Sequence, residues 1–213
     1  MRAITVSRIL AAKVLAVIRV ADGDKLLPVV EAIVRGGVTG IEITMTVPNA
    51  LAQIKRVHET FGDDVLLGVG SVLDRDTARQ AVDAGARYVV SPVFKAEIIE
   101  AAHLVDVPAL VGAFSPTEIQ AAHEAGADIV KVFPADVVGI PFFRGVLAPM
   151  PHLRLMPTGG VTLTNAVDWL RAGACAVGIG SSLLDKSAIA AGDWGLLESN
   201  ARALMAGINE FAS

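Results

Sequence analysis

The chain has 213 residues, of which 53% are hydrophobic and 19% are charged, and its formal net charge is −4. This composition is typical of a globular protein with a large core and excludes an intrinsically disordered chain. Because no basic surplus is available to neutralise phosphates, nucleic acid is not expected as a partner. No apolar run reaches the roughly 18 residues that span a bilayer, so we expect no membrane partner and a cytoplasmic location.

Eight short apolar runs, each suited to one buried strand, follow one another along the chain. They lie at residues 14–20, 38–44, 65–69, 87–91, 107–111, 128–132, 153–156 and 175–179. Segments with helical periodicity lie between them at residues 26–35, 77–84, 96–105, 116–125 and 165–172, and a closing helix is predicted at 194–211. This alternation predicts an α/β fold, a compact (β/α)8 TIM barrel formed as a single domain by residues 1–213.

The boundaries of these helices carry recognisable signals. Helix starts are predicted at Asp74 or Asp76, at Ser115 and at Thr164. Glycines 85, 126 and 173 each stand in an Ala-Gly-Ala sequence, where a left-handed helix end is expected. The alternative fold is an open, doubly wound sheet, but that fold needs a glycine-rich dinucleotide turn after the first strand, and residues 20–23 do not form one.

Two ionisable side chains stand inside predicted strands. Glu42 lies between Ile41 and Ile43, and Lys131 shares a strand face with Ile129, so both charged side chains are expected to face the barrel interior. A desolvated lysine has a lowered pKa and attacks carbonyl carbons, and a nearby carboxylate transfers protons. The pattern therefore favours a Schiff-base lysine with a proton shuttle. The alternatives are a lysine that extends to the rim and a buried ion pair that only fixes the register.

Glycine-rich turns follow the last two predicted strands. One contains Thr158, Gly159 and Gly160, and the other contains Gly180 and Ser181. In a (β/α)8 barrel these two loops commonly bind phosphate, together with a short helix that residues 181–184 are expected to supply. The alternative is that the glycines only form tight turns. The sequence has no Walker-type motif, so a nucleoside triphosphate is not implied, and no Cys/His cluster has zinc-ligand spacing.

Six motifs in register cover nearly the whole chain and resemble one family. They are Glu-Ile-Thr at 42–44, Gly-Val-Gly-Ser-Val at 68–72, Ser-Pro at 91–92, Lys-Val-Phe-Pro-Ala at 131–135, Pro-Thr-Gly-Gly-Val at 157–161 and Gly-Ile-Gly-Ser at 178–181. With them the chain resembles the 2-keto-3-deoxy-6-phosphogluconate (KDPG) and 4-hydroxy-2-oxoglutarate aldolases. The resemblance implies a metal-free and cofactor-free class I aldolase, a lyase, that assembles as a homotrimer. Its implied substrate is a phosphorylated 2-keto acid, KDPG, which is cleaved to pyruvate and glyceraldehyde 3-phosphate.

The resemblance also implies roles for individual residues. Lys131 would form the Schiff base, and Glu42 would be the general acid and base. Two residues, Pro92 and Phe133, would wall the pyruvyl pocket. Five residues of the glycine-rich turns would hold the phosphate or polar tail: Thr158, Gly159, Gly160, Gly180 and Ser181.

The chain departs from the family pattern at two positions. Many members have an arginine that grips the substrate carboxylate where this chain has Thr46, although other members share the Thr-Val-Pro form. Arg19 ends the neighbouring first strand, so we expect it to take over that contact. The alternative is that Arg19 pairs with an acidic neighbour at the rim or lies at the trimer interface. Ser71 stands where threonine is common and keeps the hydroxyl group.

Other functions remain open at this point. The chain would equally suit a 2-keto-3-deoxy-6-phosphogalactonate aldolase, because the sequence does not reveal the preferred configuration at C4. A phosphosugar isomerase or decarboxylase would share the two glycine-rich turns but would not need a lysine in strand six. A non-catalytic assembly subunit with the same scaffold would be expected to lack Glu42 or Lys131, and this chain has both.

Overall fold

The structure is a computed structural model and describes residues 1–212. Its strands are β1 (Val14–Ile18), β2 (Gly40–Thr44), β3 (Leu66–Gly70), β4 (Val89–Val90), β5 (Ala109–Ala113), β6 (Ile129–Val132), β7 (Leu155–Pro157) and β8 (Val177–Ile179). Its helices are α1 (Arg2–Ala12), α2 (Leu26–Arg35), α3 (Ala50–Phe61), α4 (Arg75–Asp83), α5 (Ala96–Leu104), α6 (Pro116–Glu124), α7 (Ala135–Leu147), α8 (Ala166–Arg171), α9 (Lys186–Ala191) and α10 (Trp194–Ala212). All eight predicted strands are present, with shifted ends.

The strands form one parallel sheet that closes on itself. Each strand pairs with the next along the chain, and β1 also pairs with β8. Thr158, directly after β7, forms a parallel bridge to Gly178 in β8, which completes the ring. The predicted (β/α)8 barrel is therefore confirmed. The open, doubly wound alternative is wrong, because its first and last strands would not be neighbours.

Side-chain alternation along the strands separates two hydrophobic cores. The outer core lies between strands and helices and includes Ile41, Ile43 and Val130. The inner core fills the barrel interior toward the N-terminal ends of the strands. Its buried members are Ile9, Leu15, Leu66, Tyr88, Val90, Leu110, Ile129, Met156 and Ala176. Ile9 belongs to α1, so this helix closes the bottom of the barrel.

Four helices were not among the predicted segments: α1, α3, α7 and α9. In α7 the periodic pattern is broken by Gly139, which has a φ of 71° inside the helix, and by Pro141. α1 precedes the first strand and so lies outside the strand–helix alternation on which the prediction rested.

The helix boundaries agree with most of the expected signals. Asp74 accepts a hydrogen bond from the N–H of Thr77, and Ser115 forms a full capping box with Glu118. All three Ala-Gly-Ala glycines have the expected positive φ, 115°, 97° and 101° for residues 85, 126 and 173.

Two predicted helix starts are wrong. α8 does not begin at Thr164, because Asn165 is its N-cap and the Asn165 side chain accepts from the N–H of Thr162 in the preceding turn. Residues 181–184 do not form a helix. They make one turn, in which the N–H groups of Leu183 and Leu184 both donate to the carbonyl of Gly180.

The surroundings of Gly68 show how tightly the barrel interior is packed. A Cβ at this position would collide with the ring of Tyr88, whose hydroxyl is fixed by a 2.7 Å hydrogen bond to the carbonyl of Ile41. Overpacking of this kind destabilises by about 1–3 kcal/mol. We expect Gly68→Ala to lower the free energy of unfolding by that amount in urea denaturation.

The matched control is Gly145→Ala in α7, where an added Cβ meets no heavy atom within 4 Å. It should be neutral or stabilising by about 0.5–1 kcal/mol, because glycine weakens a helix. Equal effects of the two substitutions would contradict the packing described for the barrel interior.

Candidate active site

Glu42 and Lys131 face each other across the barrel interior. β2 and β6 are four strands apart in a ring of eight, so their inward-facing side chains converge on the barrel axis from opposite sides. Glu42 is 0% exposed and Lys131 is 1% exposed. The Lys131 ammonium nitrogen lies 5.1 Å from the centre of the Phe133 ring. The predicted inward orientation of both charged residues is thus observed.

The environment favours the neutral form of each group. Burial raises the pKa of the Glu42 carboxyl, and the opposing effects of Lys131 and then Arg19 are smaller. Burial lowers the pKa of the Lys131 amine, Glu42 opposes this shift, and Arg19 reinforces it. Neither carboxylate oxygen of Glu42 accepts a hydrogen bond from the described residues. The interior therefore holds a lysine with nucleophilic character and a carboxyl group free to exchange protons.

Glycines on neighbouring strands flank this pair, and one of them makes room for Glu42. Gly68 is in register with Glu42, and Gly112 is in register with Lys131. A Cβ at Gly70 would collide with Oε1 of Glu42, and one at Gly112 would collide with the carbonyl of Pro92. The glycines in β3 and β5 thus determine where long side chains fit inside the barrel.

A cavity of about 260 Å³ opens at the C-terminal ends of β6, β7, β8 and β1. Seven of the predicted site residues line it: Arg19, Phe133, Thr158, Gly159, Gly160, Gly180 and Ser181. Glu42 and Lys131 are not part of its lining. Because Phe133 both lines the cavity and lies against the Lys131 ammonium, the charged pair is placed directly beneath the cavity floor.

The two glycine-rich turns form one wall of this cavity. Gly159 and Gly160 have φ values of 95° and 68°, a region that favours glycine. The carbonyl of Gly160 accepts a 2.9 Å hydrogen bond from the Asn165 side chain, and the Ser182 hydroxyl accepts one of 3.2 Å from the N–H of Leu163. These bonds hold the first turn in shape and tie it to the second.

Thr158 places a polar group in this wall. Thr158 is 6% exposed, and its hydroxyl oxygen is buried without a hydrogen-bond partner among the described residues. A Cβ at Gly178 would collide with that oxygen. The backbone turns and the exposed Ser181 together form a polar surface suited to an anion.

Three predicted residues lie elsewhere on the barrel mouth, in the loops after β2, β3 and β4: Thr46, Ser71 and Pro92. The Thr46 hydroxyl is 2.7 Å from that of Thr44, which donates to the carbonyl of Ile18. Ser71 has a φ of 61°, a left-handed conformation that is uncommon for serine and frequent at functional sites. The structure does not bring these three residues into the cavity lining.

Arg19 directly follows β1, is exposed and lines the cavity. In the described part of the chain it takes part in no hydrogen bond or ion pair, so the alternative in which a neighbouring acid binds it is not observed. Its charge nevertheless affects the pKa of both Glu42 and Lys131. Arg19 is therefore an available cation close to the buried pair.

The sequence patterns missed five further lining residues: Val17, Val161, Gly178, Leu184 and Lys186. Lys186 adds a second cation to the cavity. A signal for it was present, since Asp185 directly before it is a good N-cap residue and caps α9 in the structure.

Outside this site, the described residues contain a second cavity and a buried thiol. A second cavity, of about 310 Å³, lies at the N-terminal ends of β6 and β7 and includes Arg2, Asp128 and Arg154. Cys175 packs against the inner core, and burial raises the pKa of its thiol to about 12.

Within residues 1–212 we find no cluster of three or more His, Cys, Asp or Glu side chains suited to a metal ion, and no helix long and apolar enough to cross a membrane.

Comparison with known proteins agrees with this architecture. The sequence matches the family described as "Aldolase: KDPG and KHG aldolase" over residues 5–199. It is 36% identical over 188 residues to a 2-dehydro-3-deoxy-phosphogluconate aldolase of Pseudomonas aeruginosa, covering 88% of this chain and 85% of that protein. It is 33% identical over 180 residues to a probable 2-dehydro-3-deoxy-6-phosphogalactonate aldolase of Rhizobium meliloti, covering 84% of each.

A solved structure is similar over nearly the same extent. The KDPG aldolase of Legionella pneumophila, with pyruvate captured as a covalent carbinolamine, superimposes with a TM-score of 0.87 at 29% identity, covering 94% of this chain and 97% of that chain. The fold, the family match over most of the sequence and these relatives agree. The chain belongs to the KDPG and KHG aldolase family and is an aldehyde-lyase.

Proposed function

We propose that this chain is a class I aldolase that cleaves KDPG to pyruvate and glyceraldehyde 3-phosphate. The observation that carries the proposal is the buried Glu42–Lys131 pair beneath a cavity walled by the two glycine-rich turns. A phosphosugar isomerase or decarboxylase would not need a lysine that forms an imine, so a buried lysine with a lowered pKa favours the aldolase. The relatives named for KDPG aldolase support the choice of substrate.

Lys131 begins the reaction in this proposal. Burial lowers the pKa of its amine, which favours the neutral form that attacks the C2 ketone. Loss of water then gives an iminium ion. This cation accepts the electron pair of the C3–C4 bond as the bond breaks and becomes an enamine. Protonation of the enamine at C3 and hydrolysis of the resulting iminium then release pyruvate and free Lys131.

Glu42 transfers the protons that these steps require. Its carboxyl group has a raised pKa and no hydrogen bond from the described residues, so it can both donate and accept. It donates a proton as the carbinolamine loses water. As a carboxylate it then accepts the proton of the C4 hydroxyl, directly or through water, when the aldehyde product forms.

The remaining residues hold the substrate. Arg19 binds the C1 carboxylate, and Phe133 forms one wall around the pyruvyl group. Pro92, whose carbonyl lies against Gly112 on the strand next to Lys131, forms another. The phosphate lies against the turns, where Thr158, Ser181 and backbone N–H groups are available. The alternative substrates are 2-keto-3-deoxy-6-phosphogalactonate and 4-hydroxy-2-oxoglutarate. The Rhizobium meliloti relative supports the first of these.

A homotrimeric assembly in the cytoplasm is part of the proposal. Leu73, Val93 and Phe114 follow the neighbouring strands β3, β4 and β5 and are 50%, 42% and 41% exposed. Apolar side chains grouped in adjacent loops are typical of a surface that another subunit covers. Sedimentation of the purified chain measures the assembly, and a stable, active monomer would contradict it.

Reduction with borohydride in the presence of pyruvate tests the identity of the nucleophile. Because an imine to Lys131 becomes a stable secondary amine, mass spectrometry should find one pyruvyl-derived addition on the peptide containing Lys131. Lys131→Ala should lose this addition and essentially all cleavage, with an unchanged circular dichroism spectrum. Lys55→Ala, at an exposed site on α3, is the matched control and should retain both. Modification at another lysine refutes the assignment.

Glu42→Gln should lower turnover by about 10²–10⁴-fold, because general acid and base groups contribute to this extent. The amide keeps the size of the side chain, so substrate should still bind, and steady-state kinetics on KDPG measures both effects. Glu59→Gln on α3 removes an exposed carboxylate and should change neither. Wild-type turnover in Glu42→Gln would rule out the proton-shuttle role.

Arg19→Met should raise KM for both KDPG and pyruvate, because each carries the carboxylate that the guanidinium binds. Charge-assisted hydrogen bonds contribute about 1.5–3 kcal/mol each, which corresponds to roughly 10–100-fold in affinity. Arg19→Lys should restore only part of the loss, since lysine lacks the planar fork. Arg56→Met on α3 is the control. Unchanged kinetics in Arg19→Met would assign the carboxylate to Thr46, Ser71 and backbone N–H groups instead.

A further inference from the structure

The active-site cavity contains a second cation, Lys186, which neither the sequence patterns nor the family motifs single out. Lys186 is the first residue of α9 and lines the same cavity as Gly159, Gly160 and Ser181. Arg19 is the other cation of this cavity, and it acts electrostatically on Glu42 and Lys131. Arg19 directly follows β1, whereas Lys186 lies beyond β8, so the two cations reach the cavity from different loops.

The backbone that carries Lys186 is held at both ends of α9. At the first turn, the Asp185 carboxylate accepts a 2.7 Å hydrogen bond from the N–H of Ala188. At the other end, the Lys25 ammonium donates to the carbonyls of Ile189 and Ala190 at 3.0 and 2.8 Å. The Lys186 side chain is exposed, and the helix that carries it is tied through Lys25 to the segment before α2.

Lys186 also lacks a partner of its own. Over residues 1–212 its ammonium makes no hydrogen bond or ion pair. The exposed residue Ser181 lines the same cavity. A free cation, a hydroxyl group and two glycine turns together match a phosphate monoester, which carries nearly two negative charges and three acceptor oxygens.

We propose that Lys186 determines the preference of this enzyme for phosphorylated 2-keto sugar acids. This inference rests on the proposed aldolase function and extends it. With C2 bound to Lys131 and C1 against Arg19, the terminal phosphate of a six-carbon acid extends past the glycine turns to α9. The carboxylate of five-carbon 4-hydroxy-2-oxoglutarate ends closer to C2 and does not reach Lys186. The same sugar acid without its phosphate offers Lys186 no charge.

The test compares kcat/KM for KDPG with kcat/KM for 2-keto-3-deoxygluconate, the same acid without phosphate. Lys186→Met should lower the ratio of the two values at least ten-fold, and Lys186→Arg should keep most of it. Inorganic phosphate should inhibit the wild-type enzyme competitively, with an inhibition constant that rises at least ten-fold in Lys186→Met. Lys55→Met removes one positive charge on α3 and should change neither quantity.

An unchanged ratio in Lys186→Met would overturn the inference. An equal loss on both substrates would also overturn it, because that result indicates a structural role for Lys186. Borohydride trapping of pyruvate on the wild-type enzyme tests the aldolase function separately, since pyruvate carries no phosphate. Trapping at Lys131 together with an unchanged ratio would refute only the role of Lys186, whereas absence of trapping would refute the proposed function itself.

Discussion

The burial of two opposed ionisable side chains in a narrow barrel is the constraint on which the rest of the active site depends. The interior of an eight-stranded barrel is only wide enough for side chains to fill it. Glu42 fits because Gly70 leaves space for its carboxyl group, and the glycines in register with Glu42 and Lys131, Gly68 and Gly112, leave space for the Tyr88 ring and the carbonyl of Pro92. Below this layer the interior is apolar and closed by Ile9, so the polar half of the barrel has one open end.

Burial also determines the charge states of the pair. Each group would favour the charged state of the other, yet desolvation is the larger effect on both, so the pKa of Glu42 is raised and that of Lys131 is lowered. Tyr88 responds in the same way: burial, with a smaller contribution from Glu42, raises the pKa of its hydroxyl well above the ordinary range. The same exclusion of water that makes Lys131 nucleophilic thus keeps Tyr88 neutral as a structural hydrogen-bond donor to Ile41.

The apolar runs were sufficient to predict the strands, and side-chain alternation was sufficient to predict the inward orientation of Glu42 and Lys131. Both properties depend on one strand at a time. The glycines were harder to interpret. Gly159 and Gly160 are needed for positive φ, whereas Gly68 and Gly70 are needed for space, and that space is set by the register of neighbouring strands. A single sequence does not contain the register. The sequence did not predict Lys186 as a site residue for a related reason. A single exposed lysine can be assigned to a site only when the loops that fold around it are known.

In the proposed mechanism, recognition of the substrate and cleavage of the carbon–carbon bond use different parts of the fold, and Arg19 links them. The buried pair is carried by β2 and β6, whereas Arg19 lies in the loop after β1 and is exposed. When free, its charge lowers the pKa of Lys131 and favours the neutral amine that attacks C2. When it binds the substrate carboxylate, that charge is compensated, and a cation at Lys131 becomes less unfavourable. The iminium ion is such a cation. Carboxylate binding therefore removes the repulsion between Arg19 and Lys131 at the stage when the positive charge forms. This electrostatic effect arises from the position of Arg19 beside the pair and needs no contact with the reacting carbons.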